Sequence, residues 1–253
     1  MRWIALLLLG LLTLPSLAAK VVTISSGEWP PWNSKELPGY GLASQIVTRA
    51  FTEAGYQTEY HFFPWAEAFD LAKQGKFDAS ISWGYSQQRA EFFDFSMPIF
   101  KTSIYWFYHA DSPKKPYNWD DLTRNRPLII GATKGYIYGD EFESLKGKSG
   151  IKIVYAGDDV TNLKKLLNRE IDLFPSQLCV GYFLIRTELP QELMQFAHSP
   201  SPSAVFDHHL IFSKRNPQTP KLLQDFNQAM TSLTNKGVFR KMGKKCFRQW
   251  KSA

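Results

Sequence analysis

The sequence lacks the features that define several classes of protein. It has only two cysteines in 253 residues, Cys179 and Cys246, which are too few for the disulfide framework of a small secreted domain. It contains no G-x-S-x-G or H-E-x-x-H motif, so the common signatures of serine hydrolases and zinc peptidases are missing. It also has no run of about 20 apolar residues, which a membrane-spanning helix would need. Tandem repeats and low-complexity segments are absent as well, so the sequence indicates an ordinary globular fold.

The first 19 residues have the composition of a targeting segment. Arg2 precedes a short apolar run, and the small residues Ser16, Ala18 and Ala19 follow it. One positive charge, a short apolar run and small residues at a cleavage site are typical of a secretory signal peptide. We therefore expect residues 1–19 to be a signal peptide cleaved near Ala18 or Ala19, and the mature chain to be exported to a bacterial periplasm.

The net charge of +7 does not point to nucleic acid. The Lys and Arg residues are scattered, apart from a modest cluster between Arg240 and Lys251. Such a cluster usually forms the solvated face of a helix. We expect an exported monomer that binds no nucleic acid and needs no cofactor.

Strand and helix patterns alternate along most of the mature chain. The first part predicts strands at 21–25, 56–63 and 78–83, with helices between them at 41–54 and 66–74. Leu42, Ile46, Ala50 and Ala54 are spaced four apart and form an apolar stripe on the first helix. This βαβαβ order is typical of a mostly parallel sheet covered on both faces. A second set of strands and helices, which includes a strand at 171–174, follows a long apolar strand at 102–109. A strand at 209–212 then precedes two closing helices, and Leu222, Phe226, Met230 and Leu233 form an apolar stripe on the first of them. The prediction is an α/β fold with two similar lobes and a ligand cleft between them, because ligands bind beyond the carboxyl ends of the strands in open α/β sheets.

The order and spacing of several segments resemble those of family 3 extracellular solute-binding proteins, over essentially the whole mature chain. The segments are EWPPW, GYGLASQIV, KQGKFDASIS, SQQRAEFFDFSMP, GATKGY and NREIDLFPSQ. Members of this family are periplasmic receptors for polar amino acids that serve ATP-binding-cassette importers. The resemblance implies the class II periplasmic-binding-protein fold, in which a hinge joins two open α/β lobes.

This fold implies bounds for the two lobes. Lobe 1 would comprise residues 20–101 and 210–253, and lobe 2 would comprise 105–206. The hinge crossings would lie near 101–104 and 206–210. Cys179 and Cys246 then fall in different lobes, and although the periplasm permits a bridge, we expect two unpaired thiols.

The resemblance places Arg89 where the family holds the carboxylate of its ligand. A guanidinium offers a planar fork of donors that matches a carboxylate, and it stays charged at any relevant pH. Ser86 matches a family hydroxyl at the start of the same helix, where backbone N–H groups also favour an anion. The alternative is a surface ion pair between Arg89 and Glu91 or Asp94.

Aromatic residues form a second group of candidates. Trp29 and Trp65 match the two family positions whose rings sandwich the side chain of the ligand, which suits an apolar, planar or cationic group. Trp83 and Tyr85 lie beside the Arg89 loop and could narrow the cleft. The alternative for each of these residues is packing in or at the edge of the core, and packing is the interpretation we favour for Trp32.

In lobe 2, Thr133, Gly135 and Tyr136 match the family loop that closes over the carboxylate with a hydroxyl and backbone N–H groups. The alternative is a simple strand-to-helix turn. Two acidic positions of the family are replaced here. Gln177 occupies the place of the acid that pairs with the ammonium of the ligand, and Ser26 occupies that of a second acid. Common amino acids should therefore bind weakly, unless Glu28 substitutes as the carboxylate.

The predicted function is capture of a small carboxylate-bearing ligand, an amino acid or a related and perhaps aromatic compound, for an inner-membrane permease. A sensor or receptor subunit of the same fold is the first alternative, and a periplasmic lyase or hydrolase derived from it is the second. We expect no enzyme, since Glu28 is the only obvious general acid or base for the cleft and Glu67 a weaker one. We expect no metal site either, because the candidate residues Asp207, His208 and His209 are adjacent on a strand and so point to opposite faces.

Overall fold

The computed structural model describes residues 19–112, 122 and 127–241. Its first part is a βαβαβ unit, as predicted. The elements are β1 (Lys20–Ser26), α1 (Leu42–Glu53), β2 (Tyr56–Phe62), α2 (Trp65–Lys73) and β3 (Ala79–Gly84). Strand β1 lies between β2 and β3 and pairs in parallel with both. The predicted stripe of α1 is confirmed at Ile46 and Ala50, which are buried, because residues four apart lie on one face of a helix.

Two long antiparallel strands connect the first part to the second. After α3 (Gln87–Ala90) and β4 (Phe93–Phe95), strand β5 (Phe100–His109) pairs with β10 (Ala204–Ser213). The pairing runs from Phe100 opposite His208 to Ile104 opposite Ala204. Strand β10 also pairs with β3 and β4, whereas β5 pairs with strands of the second part. The predicted crossings at 101–104 and 206–210 fall within this paired region and remain a prediction.

The second part has its own parallel strands. The elements are β6 (Leu128–Thr133), α4 (Asp140–Leu145), β7 (Ile151–Ala156), α5 (Asp159–Leu167), β8 (Phe174–Gln177), α6 (Leu178–Glu188) and β9 (Phe196–His198). β6 and β7 are parallel, and β8 and β9 pair with β5. The strand predicted at 171–174 instead begins at Phe174. The carboxylate of Asp172 accepts the N–H of Ile129 at 2.8 Å, so a side chain replaces part of the backbone ladder there.

The chain closes with α7 (Thr219–Asn235) and a 3-10 turn at Val238–Lys241. The predicted stripe of α7 is confirmed, since Leu222, Phe226, Met230 and Leu233 are all buried. These side chains belong to a core that also includes residues of α1, β1 and β3. Within the described ranges, no helix has both the length and the apolar composition needed to cross a membrane.

The prediction of two unpaired thiols is wrong for Cys179. This residue, in the first turn of α6, is disulfide-bonded. The other cysteine of the sequence, Cys246, lies outside the described residues. The expectation of free thiols rested only on the assignment of the two cysteines to different lobes, which gives no distance between the two side chains.

Candidate functional site

Arg89 is held at the carboxyl end of β3 by three contacts. The hydroxyl of Ser86 accepts the backbone N–H of Arg89 at 3.3 Å and so caps α3. The Nη1 group of Arg89 donates to the carbonyl oxygen of Gly84 at 2.8 Å. The guanidinium carbon lies 4.9 Å from the centre of the Trp83 ring. The side chain is therefore folded back over the strand end and against an aromatic face, where a cation is stabilised by the ring.

The guanidinium of Arg89 has no counter-ion in the part of the chain that the structure describes. Within the described residues, no carboxylate lies within ion-pair distance of it, so the pair with Glu91 or Asp94 is not formed; Asp94 instead faces the Lys214 ammonium at 4.0 Å. Partial burial lowers the pKa of Arg89 below its ordinary value, but an arginine remains charged at neutral pH. Its Nε and Nη2 groups have no partner among the residues that the structure describes. A half-buried cation with free donors can gain strongly from an incoming anion.

Trp83 lies against this arginine, and Trp65 packs on Trp83. Trp83 is only 8% exposed, and its indole N–H donates to the hydroxyl of Ser80 at 2.8 Å. Trp65 packs edge-on against Trp83, with ring centres 5.3 Å apart, and its N–H donates to the carbonyl oxygen of Glu28 at 3.0 Å. A Cβ atom at Gly27 would lie 2.5 Å from the Trp65 ring, so only a glycine lets the ring pack this closely.

Trp29 lies in a separate aromatic group. Its ring is 5.0 Å from His208 and 6.5 Å from Trp32. Phe100 stacks nearly parallel with both Trp32, at 4.3 Å, and His208, at 4.7 Å. Trp32 is buried, as its interpretation as a packing residue predicts. Trp29 and Trp65 make no ring contact with each other within the described residues, so the sandwich predicted for them would need a guest between the two rings.

A buried network that the sequence did not reveal joins Trp29 to the Arg89 loop. Ser82, the second residue before the end of β3 at Gly84, has a φ of 68°, which is unusual for a residue other than glycine. Its hydroxyl donates to Asn33 Oδ1 at 2.5 Å, and its carbonyl oxygen is 3.3 Å from His208 Nδ1. His208 Nε2 is 2.8 Å from the hydroxyl of Thr102 on β5.

The carbonyl of Ser82 can only accept, so His208 Nδ1 must carry the proton and His208 Nε2 must accept from Thr102. Burial lowers the pKa of His208 to about 4, so the ring is neutral at neutral pH. His209 faces another partner, the carbonyl oxygen of Ser96, at 2.7 Å. The two histidines therefore bond the same part of β10 to different neighbouring segments. Within the described residues, no group of three metal-ligating side chains is found.

Tyr85 lies at the surface of the Arg89 loop. It is 59% exposed, its ring packs edge-on against Phe95 with centres 5.1 Å apart, and its hydroxyl is 3.4 Å from Gln87. These contacts do not involve Trp83 or the guanidinium. The role predicted for Tyr85 in narrowing the cleft stays a prediction.

The candidates of the second part gather around a buried carboxylate. Thr133, the last residue of β6, donates its hydroxyl hydrogen to Asp159 Oδ1, and the same hydroxyl accepts from Asn162 at 3.0 Å. The N–H of Thr133 donates to the hydroxyl of Tyr138 at 2.7 Å. Burial raises the pKa of Asp159 to about 6. The hydroxyl proton of Thr133 is thus already used inside the protein, so a ligand would have to meet other groups of this loop.

Gly135 and Tyr136 form the turn after Thr133. Gly135 is exposed and has a φ of 80°, which glycine adopts without strain. The N–H of Tyr136 points back to the carbonyl oxygen of Thr133, at 3.3 Å, and burial raises the pKa of the Tyr136 phenol. The turn remains compatible with both interpretations, a ligand-binding loop and a simple connection.

Gln177 connects the two parts of the molecule. It caps α6, because its Oε1 accepts the N–H of Val180 at 2.8 Å. The same oxygen accepts the indole N–H of Trp32 at 3.3 Å, a residue of the loop after β1. Gln177 therefore holds a tryptophan of the predicted lobe 1 from a position in the predicted lobe 2.

Glu28, the possible substitute carboxylate, and Ser26, which occupies the position of the second family acid, each have a local hydrogen-bond partner. Glu28 is exposed, and its carboxylate accepts the N–H of Lys35 at 2.8 Å. Ser26 is fully buried, and its hydroxyl donates to the carbonyl oxygen of Gly27 at 3.3 Å. Glu28 therefore acts as a turn cap, which gives no support to a role as general acid or as partner of an ammonium.

A cavity of about 450 Å³ lies away from these residues, between the end of α1, β2 and α7. Its charged groups pair with each other or with a neighbour. Lys221 is 2.9 Å from Asp225, which also accepts the Tyr56 hydroxyl, and Glu53 is 2.7 Å from Lys236. None of the candidate site residues lines this cavity, so it is not the site predicted from the sequence.

Solved structures define the class of the fold. An arginine 3rd transport system periplasmic binding protein from Legionella pneumophila superposes with a TM-score of 0.73 at 16% identity, covering 89% of this chain and 99% of that one. A histidine kinase sensor domain with similarity to periplasmic binding proteins gives 0.73 at 19% identity, over 90% and 96%. The ancestral amino acid-binding protein AncCDT-1, a precursor of cyclohexadienyl dehydratase, gives 0.71 at 16%, over 90% and 95%. The fold is that of the two-lobed periplasmic binding proteins, as predicted.

The sequence assigns the family within that class. Residues 21–249 match the bacterial extracellular solute-binding proteins, family 3, and the chain belongs to this family. The resemblance seen in the sequence is thereby confirmed. No curated protein matches the chain.

Proposed function

We propose that the protein is a periplasmic solute-binding protein that captures a small carboxylate-bearing ligand between its two lobes. The observation that carries the proposal is the guanidinium of Arg89, which lies half-buried over Trp83 and has two donor groups without a partner among the described residues. A carboxylate matches those donors in charge and in geometry. Trp83 lies beneath the anchor, Trp65 packs on Trp83, and Trp29 belongs to the separate aromatic group around His208.

Binding would close the lobes around the ligand. The strand pair β5–β10 is the connection about which lobe 2 would turn, bringing the Gly135–Tyr136 loop towards the guest. A ligand with higher affinity for the closed form shifts the population towards that form. The closed form is what an inner-membrane partner would recognise, and an ATP-binding-cassette permease is the partner we favour, because the Legionella neighbour is a transport-system protein.

A thermal-shift screen of amino acids, oxo acids, dicarboxylates and aromatic acids tests the proposal. We expect at least one carboxylate to raise the melting temperature of the mature protein and the Arg89→Ala variant to lose this shift. Hydrogen bonds to charged groups contribute about 1.5–3 kcal/mol each, so affinity should fall at least about tenfold. Arg49→Ala, which removes an exposed arginine of α1, is the matched control. Equal ligand shifts in wild type and Arg89→Ala would refute the anchor.

A receptor subunit that signals without transport is the second candidate, supported by the structural similarity to a histidine kinase sensor domain. Its ligand chemistry would be the same, so the partner decides between the two. Copurification of the ligand-loaded protein with a permease and its ATPase supports import. Copurification with a transmembrane kinase or another receptor supports signalling.

A further inference from the structure

The orientation of the Gln177 amide is fixed by two donors. The N–H of Val180 and the indole N–H of Trp32 both point at the same atom, at 2.8 and 3.3 Å. Neither group can accept a hydrogen bond, so the atom they share must be the amide oxygen. An amide oxygen has two lone pairs, and both are used here. Gln177 therefore has no acceptor left for a ligand.

The remaining polar group of Gln177 is a donor. Its Nε2 group has no partner in the part of the chain that the structure describes, while the side chain as a whole is 6% exposed. Two N–H bonds can be satisfied by the oxygen of a carboxylate, a carbonyl or a hydroxyl, but they cannot accept from an ammonium. Position 177 therefore presents a hydrogen-bond donor, whereas the acid that it replaces would present an acceptor.

Each of the two carboxylates that could replace the missing acid already accepts a hydrogen bond from the protein. The carboxylate of the exposed Glu28 accepts the N–H of Lys35, whereas the buried hydroxyl of Ser26 donates to the carbonyl oxygen of Gly27 and carries no charge that could pair with an ammonium. Asp159 is buried and accepts the hydroxyl of Thr133. An ammonium buried without an acceptor loses its hydration with little in return, whereas Arg89 and Gln177 both offer donors.

We propose that the ligand is a carboxylate without an ammonium group and with a second oxygen acceptor, such as an oxo acid or a dicarboxylate, and that Gln177 selects against α-amino acids. This inference rests on the proposed function, because it takes Arg89 as the anchor of the ligand.

Pairs of acids that differ only at the α-carbon test it. Isothermal titration calorimetry would compare 2-oxoglutarate with L-glutamate and phenylpyruvate with L-phenylalanine. In the wild type, the oxo acid of at least one pair should bind at least tenfold more tightly than its amino acid. Gln177→Glu keeps the shape of the side chain and the acceptor for Trp32 and Val180, but it replaces the donor group by a charged oxygen. This variant should shift the affinity ratio at least tenfold towards the amino acid.

Gln57→Glu adds the same charge on an exposed position of β2 and should leave the ratio unchanged. An amino acid that binds the wild type as tightly as its oxo acid, with both lost in Arg89→Ala, would overturn the inference and leave the proposed function standing. A ratio that does not respond to Gln177→Glu would also overturn it. So would amino acid binding that disappears in Asp159→Asn, because the buried carboxylate would then be the ammonium partner.

Two further outcomes separate the two proposals. If all four acids bind Arg89→Ala as tightly as they bind the wild type, the proposed function itself is refuted. Failure of all four acids to bind would overturn the inference, whereas an Arg89-dependent thermal shift with another carboxylate would preserve the proposed function.

Discussion

Lowering the pH from 7 to 4 titrates two buried side chains whose effects on stability have opposite signs. Burial lowers the pKa of His208 from its ordinary 6.5 to about 4, with further lowering by His209 and Arg89 and opposition from Asp207. Above pH 6.5 the histidine is neutral in both the folded and the unfolded chain. As the pH falls from 6.5 to 4, the unfolded chain takes up the proton first, so the folded chain loses stability.

Asp159 acts in the other direction. Burial raises its pKa from 3.8 to about 6, and the neighbouring Asp158 adds to the shift. Above pH 6 the folded chain carries a buried charge that the unfolded chain keeps in water. As the pH falls from 6 to 3.8, the folded chain takes up the proton first, so it gains stability.

Each shift corresponds to about 3 kcal/mol, at 1.36 kcal/mol per pKa unit. The two contributions largely cancel in the wild type, and single variants should separate them. For a chain of this length, about 3 kcal/mol changes the melting temperature by roughly 6–12 °C. When the pH is lowered from 7 to 4, the melting temperature of His208→Asn should therefore rise by about this much relative to that of the wild type. The melting temperature of Asp159→Asn should fall by about as much relative to the wild type.

Thermal melts followed by circular dichroism at half-unit pH steps measure these differences. Each variant is compared with the wild type at the same pH, so the common titration of surface carboxylates cancels. Each substitution also changes the melting temperature by an amount that does not depend on pH, because a ring or a carboxylate is missing. This constant amount does not affect the comparison, since only the change of the melting temperature with pH is interpreted. Two variants whose melting temperatures run parallel to the wild type across this range would refute the assignment of the buried titrations.

Two further predictions concern packing. Trp65→Ala removes the ring that covers Gly27. This variant should lose most of the change in tryptophan fluorescence that the protein shows when an acid binds. An unaltered fluorescence change would show that Trp65 is not part of the site. Gly181→Ala places a methyl group in steric overlap with a ring carbon of the buried Phe107. This overlap should lower the free energy of unfolding by about 1–3 kcal/mol. Gly157→Ala, where a Cβ meets nothing within 4 Å, is the control, and equal urea midpoints for the two alanine variants would contradict the overlap.

The elements with a clear hydrophobic period were predictable from the sequence. Helices α1 and α7 bury the stripes that their spacing predicts, and α1 and α2 are each followed by a glycine with positive φ, Gly55 or Gly75. Helix α6 was not predicted, because its sequence LCVGYFLIRTE begins as a continuous apolar run. Such a run does not distinguish a buried helix from a strand.

The sequence could nominate site residues but not their partners. The Ser86 cap of α3 follows from a spacing of three residues, which is local. The contacts of Ser82 with Asn33 and His208 join positions 49 and 126 residues apart, and Gln177 meets Trp32 across 145 residues. Hydrophobic patterning carries no information on such pairs. For the same reason the sequence could flag Gln177 as an unusual residue without showing which end of its amide is free.

The left-handed backbone of Ser82 has a consequence for how the molecule would accommodate a guest. Strained torsions persist where the surroundings over-determine them. Here Asn33 and His208 both bond to Ser82, which lies between the positions of β3 that pair with β10, Ser80 and Trp83. If Arg89 anchors the ligand as proposed, the segment that carries it would be preorganised, and little disorder would remain there to be lost on complex formation. In the proposed site, adjustment to guests of different size would fall instead to the turn in the second part of the chain that is bounded by Gly135 and Gly139, both of which have a positive φ.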